Sequence, residues 1–256
     1  MPMEQMNILG VHVSATNMPE AVRQIKTWIA DRTRTYVCVT GVHGIMECQD
    51  NRRLRAIHNS AGMVTPDGMP LVYISRAGGH AQTTRVYGPD LMAAICEDSV
   101  GAGYRHFFYG AAPATLAKLV ERIGGRFPGI QIAGSYSPPF RDLTPDERCA
   151  IAARINDCAP DIVWVGLSTP KQETWMADIR QQLTAPVLVG VGAAFDFHAG
   201  TVRQAPRWMQ PLCLEWFFRL LVEPKRLWKR YLLNNPRFLV SLSLQALGLR
   251  QYKEMS

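Results

Sequence analysis

DIVWVGLSTPKQETWM, residues 161–176, passes from an apolar run through a polar loop into a helical pattern. Residues 161–167 are apolar on both faces, as expected of a strand covered by helices on either side of a mostly parallel sheet. The spacing of the following residues predicts a helix over 171–182. The same alternation extends outward in both directions. It predicts strands at 8–13, 35–40, 105–110, 130–136 and 186–192, and helices at 18–31, 89–100, 113–126 and 145–158. This order predicts an α/β fold with a mostly parallel, Rossmann-like sheet and helices on both faces. The expected division is an α/β body at 1–200 and a basic amphipathic helical appendage at 201–256.

Composition excludes several classes. The 256 residues are 47% hydrophobic and 19% charged, ordinary for a folded globular chain. MPMEQMNILG lacks a basic start followed by an apolar run, and no uncharged apolar stretch approaches the ~20 residues needed to span a bilayer. A cytoplasmic chain is therefore expected. The six cysteines form no CxxC pair and no cluster with histidine at metal-binding spacing, which suits reduced thiols; no metal site is expected. The net charge of +7 is unevenly placed. Residues 1–200 hold eighteen bases and eighteen acids, whereas 201–256 hold ten bases and three acids. A neutral body with a basic end implies an anionic partner for that end.

In open α/β sheets ligands bind beyond the carboxyl ends of the strands. The loops there carry Thr40 and His43 in VTGVHG, Asp67 in VTPDGMPLV, Gly110 before AAPATL, and Lys171, Gln172 and Glu173 in STPKQE. Gly110 followed by Pro113 offers a helix start with unpaired backbone N–H groups to a phosphate. Each has a plainer reading. Pro-Asp-Gly is turn chemistry, Thr40 or His43 could cap the next helix, and the 171–173 group could be a solvated first turn. His198 in FDFHAG reads as a loop or core histidine. No GxGxxG is present, and GVGAAF at 190–195 misses that spacing, so a dinucleotide site has little support.

LEWFFRLLVEPKRLWKRYLL, 214–233, mixes large apolar residues with cations. A helical reading places Arg219, Arg226 and Arg230 at spacings of seven and four, near one face unless Pro224 breaks the register. Cations this frequent exclude a bilayer span but suit a helix lying in the membrane interface, with Trp, Phe and Leu at the headgroup boundary.

VTPDGMPLV, RVYGPDLM, GSYSPPF, DIVWVGLSTPKQETWM and the block from VGVGAAFDFHAG to PKRLWKRYL occur in an order that resembles the WecG/TagA/CpsF family of bacterial glycosyltransferases, over residues 8–233. The resemblance implies an inverting transferase that moves a sugar from a UDP-sugar to a polyprenyl-diphosphate-linked saccharide at the inner face of the cell membrane, in surface polysaccharide synthesis. It implies no divalent metal and no cofactor, and the chain contains no Asp-x-Asp clamp. Asp67 matches the family's proposed base, Thr40 a residue implicated in substrate binding, and Gln172 the donor pocket. Tyr136 in GSYSPPF is a further candidate for base or ribose contact, and the three arginines are candidates for gripping the acceptor diphosphate. Val42 stands where members often carry Asn, Gln204 where a base is common, and Cys213 where Gly is frequent. These departures leave the donor sugar open, with His43 a candidate for its specificity. A homo-oligomer is compatible with all of this. Two other readings stay open: a nucleotide-dependent oxidoreductase on the same body, and a nucleic-acid-binding arm. The neutral body argues against nucleic acid as a partner.

Overall fold

The computed structural model describes residues 3–252, apart from the side chains of Arg207 and Arg230. Strands β3 (Thr35–Thr40), β4 (Met63–Pro66), β5 (Arg105–Gly110), β6 (Gln131–Tyr136), β7 (Ile162–Gly166) and β8 (Val187–Gly190) form one six-stranded, all-parallel sheet in the order β4-β3-β8-β7-β5-β6. The α/β expectation is borne out. By contact the described residues fall into two compact units, one of residues 3–17, 39–87 and 203–252, the other of 18–38 and 88–202.

The second unit holds the start of β3 and the strands β5 to β8. It also holds α1 (Met18–Ala30), α5 (Gly88–Ala102), α6 (Pro113–Arg126), α7 (Pro145–Asp157), α8 (Lys171–Ile179) and α9 (Ala194–Ala199). Phe107, Phe108, Val163, Trp164 and Leu188 are fully buried, and they include neighbours in sequence that point to opposite faces. This is why the runs read as continuously apolar. Trp164 Nε1 donates to His106 Nδ1 at 2.9 Å, and burial pushes the His106 imidazole down to about 4, so it stays neutral in the core. α7 starts with a reciprocal cap in which the Thr144 side chain accepts from the Glu147 N–H and the Glu147 carboxylate accepts from the Thr144 N–H. Gly110 ends β5 at φ +124°, and a Cβ there would lie 2.5 Å from the Gly166 carbonyl oxygen. Glycine is required where β5 and β7 close together.

The first unit begins with a hairpin of β1 (Gln5–Ile8) and β2 (Val11–Ser14), paired antiparallel. This corrects the single strand expected over 8–13. Leu9 at φ +52° and Gly10 at φ +81° make a two-residue turn in which both residues are left-handed, and Asn7 Oδ1 accepts from the Gly10 N–H at 2.8 Å. α2 (Val42–Asp50), α3 (Arg52–Asn59) and α4 (Met69–Ala77) follow, and after Met209 come α10 (Glu215–Val222) and α11 (Pro224–Ala246). α11 packs on α2 and on α10, its Leu227, Tyr231 and Phe238 are buried, and the Tyr231 ring lies 5.9 Å from that of Trp216 of α10. Arg237 makes a two-bond pair with Asp50, and Gln245 bridges the Leu9 N–H and the Asn7 carbonyl. Residues 203–252 are thus a packed part of this unit, tied to its N-terminal hairpin and to α2.

Cys213 has φ +59°, the left-handed conformation that glycine adopts without penalty. That gives a physical reason for the glycine that the resemblance leads one to expect at this place. Cys213→Gly is expected to stabilise the chain by about 1 kcal/mol, the strain relieved being partly offset by the larger freedom of glycine in the unfolded state. A rise in thermal midpoint read by calorimetry checks this, and a fall would show that the thiol's packing outweighs the strain.

Candidate functional site

The geometry of the first unit centres on Asp67. β4 ends at Pro66, the Asp67 N–H donates to the Thr40 carbonyl at 3.0 Å, and Gly68 caps α4, whose first turn contains Pro70. A proline on one side and a helix start on the other leave the loop few conformations. The Asp67 side chain is 30% exposed, so its carboxylate is both held and reachable. A Cβ on Gly41, the residue that caps α2, would lie 3.9 Å from Asp67 Oδ2, which brings the carboxylate near the N-terminus of that helix.

Arg85 is the residue that organises this loop. Its Nε donates to the Asp67 carbonyl, its Nη1 to Gln210 Oε1 at 3.0 Å and its Nη2 to Glu215 Oε2 at 2.6 Å, while Asp67 Oδ1 lies 3.9 Å away. The guanidinium also sits 3.9 Å over the Tyr87 ring. Burial disfavours its charge, but the Asp67 and Glu215 carboxylates outweigh that and hold it firmly protonated. Burial, reinforced by the same two carboxylates, pushes the Tyr87 phenol far up, so it stays neutral. Arg85 carries no motif of its own in the sequence. Its only signal was membership of the RVYGPDLM block, because Gln210 and Glu215 lie 125 and 130 positions away in sequence.

Thr40 is buried at the end of β3, and His43 lies in the first turn of α2, whose cap is Gly41; neither caps that helix. His43 Nδ1 stands 3.2 Å from Asn234 of α11 and 3.6 Å from Glu47. Glu223 separates α10 from α11, with Pro224 opening the second helix, so the arginine spacing does not run along one continuous helix. Glu223 nevertheless draws two of them together, Arg226 through two hydrogen bonds and Arg219 at 3.7 Å. Arg226 is half exposed and Arg219 mostly covered; the Arg230 side chain lies outside the described residues. On the outer surface of these helices Phe217, Leu221, Val222, Trp228, Leu232 and Leu233 are between 43% and 64% exposed.

In the second unit, Gly110 and Gly166 end neighbouring strands, with α6 starting at Pro113 and α8 at Lys171. Lys171 is exposed. Gln172 and Glu173 are 2% and 0% exposed, which overturns the solvated-turn reading for these two. Glu173 Oε1 accepts from the Thr169 hydroxyl at 2.8 Å and from Gln172 Nε2 at 3.0 Å. Gln172 Oε1 and Glu173 Oε2 are buried without a hydrogen-bond partner. Tyr136 stacks with Tyr109, which stacks on Trp175 at 3.9 Å. His198 lies in the last turn of α9, not in a loop; it donates to the Pro89 carbonyl at 2.9 Å, and burial lowers its basicity, the satisfied histidine that the plainer reading expects.

The sequence profile of the glycosyl transferase WecG/TagA/CpsF family matches residues 6–252. The chain belongs to the WecG/TagA/CpsF glycosyltransferase family. Among similar curated proteins is the N-acetylglucosaminyldiphosphoundecaprenol N-acetyl-beta-D-mannosaminyltransferase of Bacillus spizizenii (strain ATCC 23059 / NRRL B-14472 / W23), 34% identical over 222 residues, which are 86% of this chain and 84% of that protein. Its namesake in Bacillus subtilis (strain 168) is 33% identical over 184 residues, 72% of this chain and 69% of that protein. As a WecG/TagA/CpsF glycosyltransferase, the chain must move a sugar onto an acceptor hydroxyl, and such a step needs a proton acceptor. The Asp67 loop has the form such a group requires, a reachable carboxylate on a rigid support. Among the described residues no helix is long and apolar enough to cross a membrane.

Proposed function

We propose that the chain transfers a hexose or N-acetylhexosamine-type sugar from a UDP-sugar to a polyprenyl-diphosphate-linked saccharide, in one inverting step and without a divalent metal, for bacterial surface polysaccharide synthesis. The observation that carries the reading is the Asp67 carboxylate, held on its turn by Thr40 and Arg85 and left reachable, in a chain of this transferase family. The relatives' names, which specify an N-acetylglucosaminyl-diphosphoundecaprenol acceptor and an N-acetylmannosaminyl group, support the lipid-linked acceptor.

In this reading the acceptor oxygen attacks the anomeric carbon, the bond from that carbon to the UDP oxygen breaks, and Asp67 takes the hydroxyl proton. Thr40 serves substrate binding on the adjoining loop. The charge on the departing UDP is met by protein dipoles. The starts of α6, after Gly110, and of α8, at Lys171, supply partial positive charge, and Gln172, Glu173 and Tyr136 are assigned to donor recognition. His43 is assigned to sugar specificity. Arg219, Arg226 and Arg230 are assigned to the acceptor's diphosphate. The exposed pair between Arg226 and Glu223 contributes roughly 0–1 kcal/mol, so an incoming diphosphate can displace the carboxylate. The outward apolar residues of α10 and α11, interleaved with cations, suit peripheral attachment to the inner face of the cell membrane.

The test is a panel of UDP-sugars against a short-chain polyprenyl-diphosphate N-acetylglucosamine, with and without EDTA. Transfer from at least one UDP-sugar, undiminished by EDTA and with inverted anomeric configuration, is the expected result. Failure with every UDP-sugar would refute the donor class, and loss on chelation would refute the metal-free part.

A further inference from the structure

Gly44 is buried in the first turn of α2, where its backbone is helical and alanine would favour the helix more. Conformation does not require a glycine there, but its surroundings do. A Cβ at Gly44 would lie 2.9 Å from Thr40 Cγ2, closer than such atoms approach, and 3.8 Å from His58 Nε2. The imidazole is fixed on that side: it is fully buried, and its Nδ1 donates to the Leu54 carbonyl at 2.9 Å and lies 3.3 Å from Cys48 Sγ. Thr40 is 2% exposed, and its carbonyl accepts from the Asp67 N–H at 3.0 Å. The backbone has little room either, since a Cβ on Gly68 would lie 3.8 Å from Gly41 Cα. The Thr40 methyl therefore occupies the space that the missing Cβ leaves, and the hydroxyl lies on another side of the Thr40 Cβ. A β-branched side chain has few χ1 wells, so blocking the methyl turns the hydroxyl into a different well rather than nudging it.

We propose that Gly44 is a positioning residue: by leaving room for the Thr40 methyl it sets the rotamer of Thr40, and with it the direction of the hydroxyl on the residue that adjoins the Asp67 loop. The inference rests on the reading of Thr40 as a substrate contact and names what holds that contact in place. Gly44 itself touches no substrate. An added methyl at this position acts on the softest coordinate nearby. Turning χ1 of Thr40 moves two heavy atoms, whereas moving β3 or α2 would disturb the bond from the Asp67 N–H and the packing of α2 on α11.

Gly44→Ala is expected to lower kcat/KM about tenfold with a UDP-sugar and short-chain polyprenyl-diphosphate N-acetylglucosamine, the scale of one hydrogen bond to substrate. The thermal midpoint should hold or rise, because alanine favours the helix. Thr40→Val keeps a methyl toward position 44 and removes the hydroxyl. It should slow transfer by itself, and Gly44→Ala added to it should cost less than about twofold more, since no hydroxyl remains to be misdirected. A contact that matters only for packing acts alike in both backgrounds, so a further tenfold loss in Thr40→Val would overturn the inference. A Gly44→Ala variant with the wild-type rate would do the same. Thr40→Ser, which lacks the methyl, covers the case of a Gly44→Ala chain that does not fold. In that background alanine should leave the folding and rate of Thr40→Ser as they are, and a loss of either would overturn the inference. If Thr40→Val transfers as fast as the wild type, or the wild type transfers from no UDP-sugar, the underlying reading falls and this inference with it; a slowed Thr40→Val beside an unaffected Gly44→Ala sinks this inference alone.

Discussion

Asp67→Asn is expected to lower kcat for sugar transfer by about a thousandfold, within the range that a positioned general base contributes. The amide has nearly the same shape, so the loop, the bond from the Asp67 N–H to the Thr40 carbonyl and the grip of Arg85 on the Asp67 carbonyl should persist. The dissociation constant for UDP should change by less than about threefold, because a residue that acts only in the transition state leaves ground-state binding intact. Calorimetric titration with UDP alongside steady-state rates separates the two effects. A variant that loses donor binding together with turnover would mean that Asp67 holds substrate and is not the base.

The second large effect concerns the outer surface of α10 and α11. Trp228, Leu232 and Leu233 are 47%, 57% and 58% exposed, so changing all three to serine removes apolar surface without opening the contact made by Leu227, Tyr231 and Phe238. If each side chain gives up about 1 kcal/mol of partial burial at a headgroup boundary, the sum of about 3 kcal/mol corresponds to roughly hundredfold weaker partitioning. Flotation with vesicles of phosphatidylglycerol and phosphatidylethanolamine measures this directly, and unchanged thermal melting shows that the variant is folded. Vesicle binding as tight as that of the wild type would show that this apolar surface faces something other than lipid.

How far the sequence could be read depended on how local each cause is. β3, β5 and β7 announce themselves because their residues are apolar on both faces, and α6 and α7 because Pro113 and Pro145 mark their first turns. The hairpin at residues 5–14 was hidden because its turn is made by Leu9, which keeps the run apolar although its backbone is left-handed. β4 is only four residues long, and α2 carries Gly44 in an otherwise polar-and-apolar mixture, so neither offers a sustained period. Within the candidate site, Asp67 was legible through Pro66 and Gly68 and through its family block. Arg85 and Glu215 were not, because their meaning comes only from a meeting of segments far apart in the chain. Gln172 and Glu173 stand out in the sequence by their place at a helix start, but their burial is a tertiary fact that the polar loop before them conceals.

The central claim is that Asp67 removes the acceptor's proton, and the pH dependence of kcat/KM in wild type and Asp67→Asn tests it most directly. The wild-type rate should rise with slope one on the acidic side and level off once a single group is ionised, whereas the residual rate of the variant should keep rising with hydroxide concentration, with no plateau. A variant that shows the wild-type limb and plateau, at whatever rate, would contradict the claim, because the group that titrates would then be another.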